Sequence, residues 1–333
     1  MTDENLYEDL SAKINIFGSK YIPRIWRMIV NEDEARLLLA MPGTAAELAE
    51  RTGRKPEKAK AMVQELFRKG VVFEKGKGEE TQYRPPRHPL QFHDGTILWP
   101  EAPREFLDLW QTYMDEEYPE FIKMMDAGEI RSFMRVIPVN RGIESKSQVL
   151  PAEDALQMID QAGKLAVTKC TCRLTAHRCQ KPLEACLQLN KAAEYAIKRG
   201  TGRELTKDQA REIIRISEEA GLVHLTENRG GIGQVICNCC DDCCMMLVLM
   251  KKIGVKCTAA PSRYRVRIAA GDCNGCGACL DRCPMDILAI PKGREVVEAN
   301  LDKCIGCGLC TTVCPTKALV LEEIRPADFI PEA

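Results

Sequence analysis

The chain has few aromatic residues, no large charge excess and no long apolar run. Aromatic residues make up 5% of the 333 residues, and the formal net charge at pH 7 is −1. A strong overall field that attracts oppositely charged partners is therefore excluded. No apolar run approaches the roughly 18 residues that a membrane-spanning helix needs. The acidic start "MTDENLYEDL" is unlike a signal peptide, so we expect a cytoplasmic protein without a membrane span.

Cysteine, by contrast, is abundant, with 18 residues in the chain. An apolar content of 45% is ordinary for a globular protein, so these cysteines are not needed to replace a hydrophobic core. Disulfides are rare in the cytoplasm. The cysteines therefore indicate metal or redox chemistry.

Residues 31–87 show the pattern of three helices followed by two short strands. Thr44 and Glu47 have the spacing of a capping box at the start of the second helix, and Gly70 is placed to end the third. "VVFEKGKGEETQYRPP" predicts two strands around a Gly-Lys-Gly tip. This order of elements resembles the winged-helix domains of small DNA-binding regulators. Between residues 33 and 87, 12 basic residues face 9 acidic ones. The resulting balance of +3 lacks a strong basic stripe and leaves DNA binding, partner docking and homodimerisation open.

Residues 88–256 alternate between predicted helices and strands. Helices are predicted on both sides of Pro119 and over "PLEACLQLNKAAEYAIKRG", and His88 and His93 are expected in loops or at the surface. "SFMRVIPVN" and "LVHLTEN" predict strands. Two further strands, "KLAVTK" and "GQVIC", lead into Cys170 and Cys237. We expect these two strands to bring their cysteines together.

The motif C-x2-C-x2-C-x3-C-P occurs twice near the end of the chain. A tight loop brings three thiolates to three iron corners of a cubane, and the fourth cysteine opens a helix and ligates the other cluster. Zinc sites usually pair two C-x2-C knuckles instead. One expected ligand set is Cys273, Cys276, Cys279 and Cys314, and the other is Cys304, Cys307, Cys310 and Cys283. Glycines that allow close approach to the clusters are Gly275, Gly277, Gly306 and Gly308. Residues 264–324 resemble the bacterial-type two-[4Fe–4S] ferredoxin domain, which implies two [4Fe–4S] clusters.

Nine further cysteines fall into two groups, one in "CTCRLTAHRCQKPLEAC" and one in "ICNCCDDCC". Their residues are Cys170, Cys172, Cys179 and Cys186, and Cys237, Cys239, Cys240, Cys243 and Cys244. Structural zinc with spare thiols, inert buried thiols and disulfides are alternatives. Neighbours Cys239 and Cys240 must diverge, whereas in a helix Cys240, Cys243 and Cys244 would share a face.

Nine cysteines fit two four-cysteine sites with one left over. We therefore expect one or two further [4Fe–4S] clusters, and favour two. Arg173, beside Cys172, is expected to neutralise cluster charge, whereas His177 is expected at the surface. Cys257 stands alone and is expected to be a buried thiol.

Residues 130–324 resemble a group of multi-cluster iron–sulfur proteins from anaerobic microbes. "RVIPVN", "CTCR", "KPLEAC", "EEAGLVH" and "ICNCC" carry this resemblance. The resemblance implies electron transfer and little about a substrate. It also leads us to expect a further cysteine near Asp242, where this chain has "DD".

Together these patterns predict an α+β protein of four parts. These parts are a winged-helix-like domain at 1–87, a helical connector at 88–150, a small α/β cysteine-rich module at 151–263 and a ferredoxin-type βαββαβ domain at 264–333. The expected function is electron transfer to or from a partner redox enzyme, with the chain more a conduit or oxidoreductase subunit than a stand-alone enzyme. The alternatives are a redox-sensing transcription regulator and a reductase whose cysteine-rich module holds a substrate-binding cluster.

Overall fold

The computed structural model describes residues 3–143 and 149–332 and shows mixed helices and sheets, as expected for an α+β protein. The chain divides into two compact units. The first comprises Met1–Glu120, Leu174–Ala176 and Lys198–Thr201, and the second comprises Phe121–Arg173, His177–Ile197 and Gly202–Ala333. Within the described ranges, no helix has the length and apolar character needed to cross a membrane.

The first unit is mainly helical and contains one two-stranded sheet. Its elements are α1 (Asp3–Lys13), α2 (Ile22–Ile29), α3 (Glu32–Ala40), α4 (Ala45–Arg51), α5 (Pro56–Lys69), β1 (Phe73–Lys75), β2 (Gln82–Arg84), α6 (Pro89–Ile97) and α7 (Arg104–Glu116). Helix α8 (Tyr118–Ala127) follows, so helices lie on both sides of Pro119 as predicted. Strands β1 and β2 pair antiparallel.

The helix boundaries in this unit follow local capping chemistry. Thr44 accepts a hydrogen bond from the Glu47 amide, and the Glu47 carboxylate accepts one from the Thr44 amide, which confirms the predicted capping box. Gly70 ends α5 in the left-handed conformation, with φ of +84°. Three helices followed by a pair of short strands therefore form where the sequence pattern placed them.

An aromatic cluster fills the core of the first unit. The rings of Trp26 and Phe92 stack with their centroids 3.8 Å apart, and Trp110 meets Phe92 edge-on. The Trp110 indole donates to Thr96 Oγ1 over 3.1 Å. His93 is wholly buried against Trp110, with its Nδ1 3.0 Å from Asp94. The expectation of a surface or loop position was therefore wrong for His93, because its place in α6 turns the ring inward.

The second unit is built on a seven-stranded sheet. Its strands are β3 (Met134–Ile137), β4 (Leu165–Lys169), β5 (Glu184–Leu189), β6 (Gly202–Glu204), β7 (Val223–Glu227), β8 (Val235–Cys239) and β9 (Ala259–Ala260). They lie in the order β6-β4-β5-β8-β7-β3-β9, antiparallel except for the parallel pair of β3 and β9. The helices along this part of the chain are α9 (Ala155–Gln161), α10 (Thr171–Ala176), α11 (Lys191–Lys198), α12 (Lys207–Glu219) and α13 (Leu247–Ile253).

The two faces of this sheet carry different apolar clusters. Side chains alternate between faces along a strand, so Ile236 and Cys237 point to opposite sides. Ile236 packs in a cluster with residues of α9 and α12. Cys239 packs on the other face, in a cluster that includes Leu247 of α13 and Cys307 of the C-terminal segment. One face of the sheet is therefore covered by helices and the other by the cysteine-rich parts of the chain.

Strand β5 replaces the first part of a predicted helix. Glu184–Leu189 is extended, and only the following residues, from Lys191, form α11. Ala185, Leu187 and Leu189 are buried while the residues between them are more exposed. The period of two fits a half-buried strand better than a helix.

The C-terminal segment, residues 264–332, has the four predicted strands, but the connections between these strands differ from the prediction. Strand β10 (Tyr264–Ile268) pairs with β13 (Leu319–Glu323), and β11 (Leu288–Ala289) pairs with β12 (Glu298–Ala299). In the described residues from β10 to the end, turns and 3-10 helices replace the expected α-helices. The stretches between the cysteines are too short for the hydrogen bonds of an α-helix to offset the cost of nucleating it.

A buried ion pair ties β10 to the chain near α9. Arg263 Nη1 lies 3.0 Å from Glu153 Oε2, with both side chains almost fully buried, and Arg263 Nη2 also contacts Glu323. Burial raises the pKa of Glu153, which the Arg263 charge partly offsets.

We predict that Arg263→Ala lowers the free energy of unfolding by about 3–5 kcal/mol, because it leaves a buried carboxylate without its partner. Arg265→Ala is the matched control. Arg265 pairs with Glu322 at 3.2 Å with both side chains about one-third exposed, and its loss should cost about 0–1 kcal/mol. Urea denaturation measures both values. Equal effects of the two substitutions would contradict the assignment.

Candidate metal centres

The eight cysteines of the C-terminal repeat line two separate cavities. One cavity is lined by Cys304, Cys307 and Cys310 of the second motif together with Cys283 of the first. The other is lined by Cys273, Cys276 and Cys279 together with Cys314. Each cavity thus receives three cysteines from one motif and the last cysteine from the other. These are the two sets that the spacing predicted.

The thiols at each cavity influence one another's ionisation. Burial, together with the nearby Cys283 and Cys304, raises the pKa of Cys307 to about 12. Burial also raises the pKa of Cys279, as do Cys314, Cys273 and Cys276. Thiolates in such surroundings require a cation to offset their charge. Soft donors, crossed ligand sets and a cavity inside each set fit a [4Fe–4S] cluster.

All four predicted glycines, Gly275, Gly277, Gly306 and Gly308, line these cavities. Gly306 has φ of +67°, and a Cβ atom there would lie 2.1 Å from the Tyr264 carbonyl oxygen. At Gly275, with φ of +68°, a Cβ atom would lie 2.4 Å from the Glu295 carbonyl. Backbone packing around the cavities therefore requires glycine at 306 and 275.

Six of the nine remaining cysteines form one contiguous set, the six-thiol group. Its members are Cys170, Cys172, Cys186, Cys237, Cys239 and Cys244. Cys170 contacts Cys172 and Cys186, Cys244 contacts Cys172 and Cys239, and Cys237 contacts Cys186 and Cys239 through their thiols. The contacts close into a ring in which each thiol meets two others.

The sheet of the second unit explains how these six residues meet. Cys170 directly follows β4, Cys186 lies in β5, and Cys237 and Cys239 lie in β8. Strand β5 lies between β4 and β8, so three neighbouring strands deliver cysteines to one place. The prediction that the strands ending at Cys170 and Cys237 bring their cysteines together is confirmed.

Crowding shifts the pKa values of the ring thiols in opposite directions. Hydrogen bonds from Cys172 and Cys186 lower the pKa of Cys170 well below its usual value. Cys172 and Cys239 do the same for Cys244. Conversely, hydrogen bonds to neighbouring thiols and burial raise the pKa of Cys172, Cys186 and Cys239. Because metals bind thiolates, loading this group must release the remaining protons.

The other three cysteines form a second set with an aspartate, the Cys₃Asp group of Cys179, Cys240, Asp242 and Cys243. Their ligand atoms all lie within 4.8 Å of one another. Cys179 Sγ is 3.8 Å from Cys240 Sγ and 3.7 Å from Cys243 Sγ. A hydrogen bond with the Cys243 thiol and, to a smaller extent, the Arg173 guanidinium lower the pKa of Cys240 to about 7.

Arg173 lies between the two sets. The side chain is buried and donates to the carbonyl oxygens of Pro182 and Asn238. Burial disfavours its charge, but Cys170, Cys240 and Cys186 outweigh that effect and raise the pKa of the guanidinium. Arg173 therefore faces thiolates of both groups.

Several residues differ from what the sequence indicated. Cys243 and Cys244 do not share a helical face with Cys240, because residues 240–246 form turns and Cys244 belongs to the six-thiol group. Asp242 was not among the predicted ligands, although the absence of an expected cysteine at "DD" was a signal. His177 is exposed, as predicted.

Cys257 is buried and lies apart from both groups, and its Sγ contacts the Ile122 carbonyl over 3.7 Å. Burial, with Asp126, raises the pKa of its thiol to about 11.

Comparison with known proteins identifies one region. Residues 272–318 match the family model of the 4Fe-4S dicluster domain. No curated protein and no solved structure matches the chain. The chain is thus an iron–sulfur protein that carries 4Fe-4S clusters at its C-terminal end, which supports a general role in electron transfer.

We predict that Gly306→Ala abolishes or strongly weakens iron binding at the cavity that it lines. A residue with a Cβ in the left-handed conformation costs about 1–2 kcal/mol, and the overlap with the Tyr264 carbonyl adds to this. The iron content per chain should fall by up to about four, the content of one cluster. Gly271→Ala is the control, because a Cβ there meets no atom within 4 Å. Unchanged iron in Gly306→Ala would show that the loop adapts.

Proposed function

We propose that the chain is an electron-transfer protein that relays electrons among three [4Fe–4S] clusters and exchanges them with a partner redox enzyme. Two clusters are held by the ligand sets of residues 273–314 described above, and a third by the six-thiol group. Four of its six thiolates suffice for one cluster. The clusters supply one-electron transfer.

The observation that carries this proposal is the apolar cluster on one face of the sheet. Cys239 and Cys244 of the six-thiol group and Cys307 of the second motif pack in this same cluster. The amide of Val139, on the same face, donates to the Cys307 carbonyl over 2.9 Å. An apolar, packed connection between two cysteine sites suits electron transfer between them.

The site lined by Cys273, Cys276, Cys279 and Cys314 would be the exchange point with the partner. Cys276 is exposed, whereas Cys307 and Cys310 at the neighbouring site are buried. A donor or acceptor protein can therefore approach the first site more closely. Arg173 would offset the negative charge of the loaded six-thiol group.

We predict about twelve irons per chain in protein isolated without oxygen, since three clusters hold four irons each. The triple variant Cys170→Ala, Cys186→Ala and Cys237→Ala should remove about four of them, because it leaves only three of the six thiols for a cluster that takes four. Cys257→Ala, which alters a buried thiol outside both groups, should retain all twelve. Iron and sulfide assays measure these values. About eight irons in the unaltered protein would rule out the third cluster.

Residues 31–87 are proposed as a winged-helix-like domain for docking the partner or for homodimerisation. The regions 88–150, 151–263 and 264–333 are proposed as connector, cysteine-rich module and ferredoxin-type domain.

The exposure of Lys55, Lys58 and Lys60 at the start of α5 favours a redox-sensing DNA-binding regulator as the second candidate function. Arg54 does not add to this cationic set, because it pairs with Asp33 over 3.0 Å.

Electrophoretic mobility shifts with oxidised and reduced protein separate the two functions. The electron-transfer proposal predicts reducible clusters and no redox-dependent, sequence-specific shift. A specific shift that depends on the redox state, and that is lost on Lys58→Ala and Lys60→Ala, would favour the regulator. Lys292→Ala, a change at an exposed lysine of the C-terminal segment, is the control.

A further inference from the structure

The sulfur positions in the Cys₃Asp group match those around a single tetrahedral metal ion. A Zn–S bond of about 2.3 Å places the sulfurs of a tetrahedral site about 3.8 Å apart. Cys179 Sγ lies 3.8 Å from Cys240 Sγ and 3.7 Å from Cys243 Sγ. The carboxylate of Asp242 completes four donors within 4.8 Å. The geometry is that of one ion with four ligands.

The C-terminal repeat provides a comparison within the same chain. A cubane binds one thiolate on each iron corner, so its ligand sulfurs are held apart from one another. Consistent with this, Cys279, Cys283, Cys307 and Cys314 take hydrogen bonds from backbone amides or from Thr316. The six-thiol group is crowded because it has two thiols more than a cluster takes. The Cys₃Asp group has one thiol fewer than a cluster takes, yet its sulfurs are in contact.

Asp242 supplies an independent indication of a cation. Its Oδ1 atom is buried without a hydrogen bond of ordinary geometry from any described residue, and the carboxylate lies against the thiols of Cys240 and Cys243. A buried carboxylate oxygen without a partner is costly. It lies beside Cys240 and Cys243, so a metal ion held by those sulfurs would satisfy it. The preceding residue, Asp241, differs in that it pairs with Lys251 over 2.7 Å.

The backbone also supports thiolates at this place. The amide of Lys181 donates to the Cys179 sulfur, and the amide of Arg178 donates to the Cys243 sulfur. Hydrogen bonds from outer-shell groups orient ligands and offset their charge in metal sites.

We propose that Cys179, Cys240, Cys243 and Asp242 bind a single zinc ion as a closed structural site, separate from the iron–sulfur clusters. Zinc takes thiolate and carboxylate ligands in tetrahedral sites, and four protein donors leave no open position. The ion ties the loop that carries Cys179 to the turn at residues 240–243. Because Cys239 and Cys244 flank that turn, the zinc ion also holds two members of the six-thiol group in place.

Zinc analysis and X-ray absorption at the zinc edge test this proposal on the full chain, without interference from iron. We expect one zinc per chain with three sulfur neighbours at about 2.3 Å and one oxygen at about 2.0–2.2 Å. Asp242→Cys should keep the ion and change the shell to four sulfurs. In a chelator competition, Asp242→Ala should weaken zinc binding by at least the roughly 10–100-fold that loss of an outer-shell partner costs. Asp241→Ala, the matched control, should leave the zinc shell unchanged.

Two results would overturn the proposal. The first is an absence of zinc together with a loss of about four irons in Cys240→Ser, which would assign the group to a cluster. The second is a zinc shell of four sulfurs in the unaltered protein, which would exclude Asp242. Because Asp242→Cys preserves a full ligand set, the test does not depend on a variant that fails to fold. The electron-transfer proposal is tested separately by the iron count and cluster reduction.

Discussion

Adjacent cysteines within residues 237–244 must point in different directions, and the metal sites proposed beside the sheet depend on this constraint. The side chain of Cys239, at the end of β8, lies in the six-thiol group, whereas the side chain of Cys240 lies in the Cys₃Asp group. The chain then returns at Cys244 to the six-thiol group. A stretch that could not serve one cluster therefore contributes to two adjacent sites. Arg173 lies between them and faces thiolates of both.

The sheet converts this local arrangement into a connected series of sites. Its alternating side chains place Ile236 against the helices and Cys239 on the opposite face. That second face also receives Cys307, so the six-thiol group and one cavity of the C-terminal repeat share an apolar environment. The other cavity reaches the surface at Cys276. The proposed electron route therefore depends on the face of the sheet on which each cysteine lies.

Features with causes in a short stretch of the chain could be predicted from the sequence, whereas features that depend on distant stretches could not. The crossed cysteine sets of the repeat follow from spacing within short segments, so they could be predicted. The capping box at Thr44 and Glu47 is likewise local. The helix predicted over residues 182–200 was wrong in its first part, because good helix formers in "PLEACLQL" concealed the period of two.

The division of nine cysteines into six and three could not be predicted, because it depends on strand order. Only the position of β5 between β4 and β8 brings Cys186 to Cys170 and Cys237. Asp242 could not be identified by counting cysteines, and the "DD" in place of an expected cysteine was the one signal in the sequence. The burial of His93 depends on packing with Trp110, which spacing along the chain does not reveal.

The central claim is that electrons pass between the cluster proposed at the six-thiol group and the cluster in the cavity lined by Cys307. Electron paramagnetic resonance of the fully reduced protein tests it most directly, in a variant that lacks the surface cluster through Cys273→Ser and Cys276→Ser. The account predicts two remaining reduced clusters whose signals are broadened and split by mutual magnetic coupling. Two independent, uncoupled signals, or the signal of a single cluster, would contradict it.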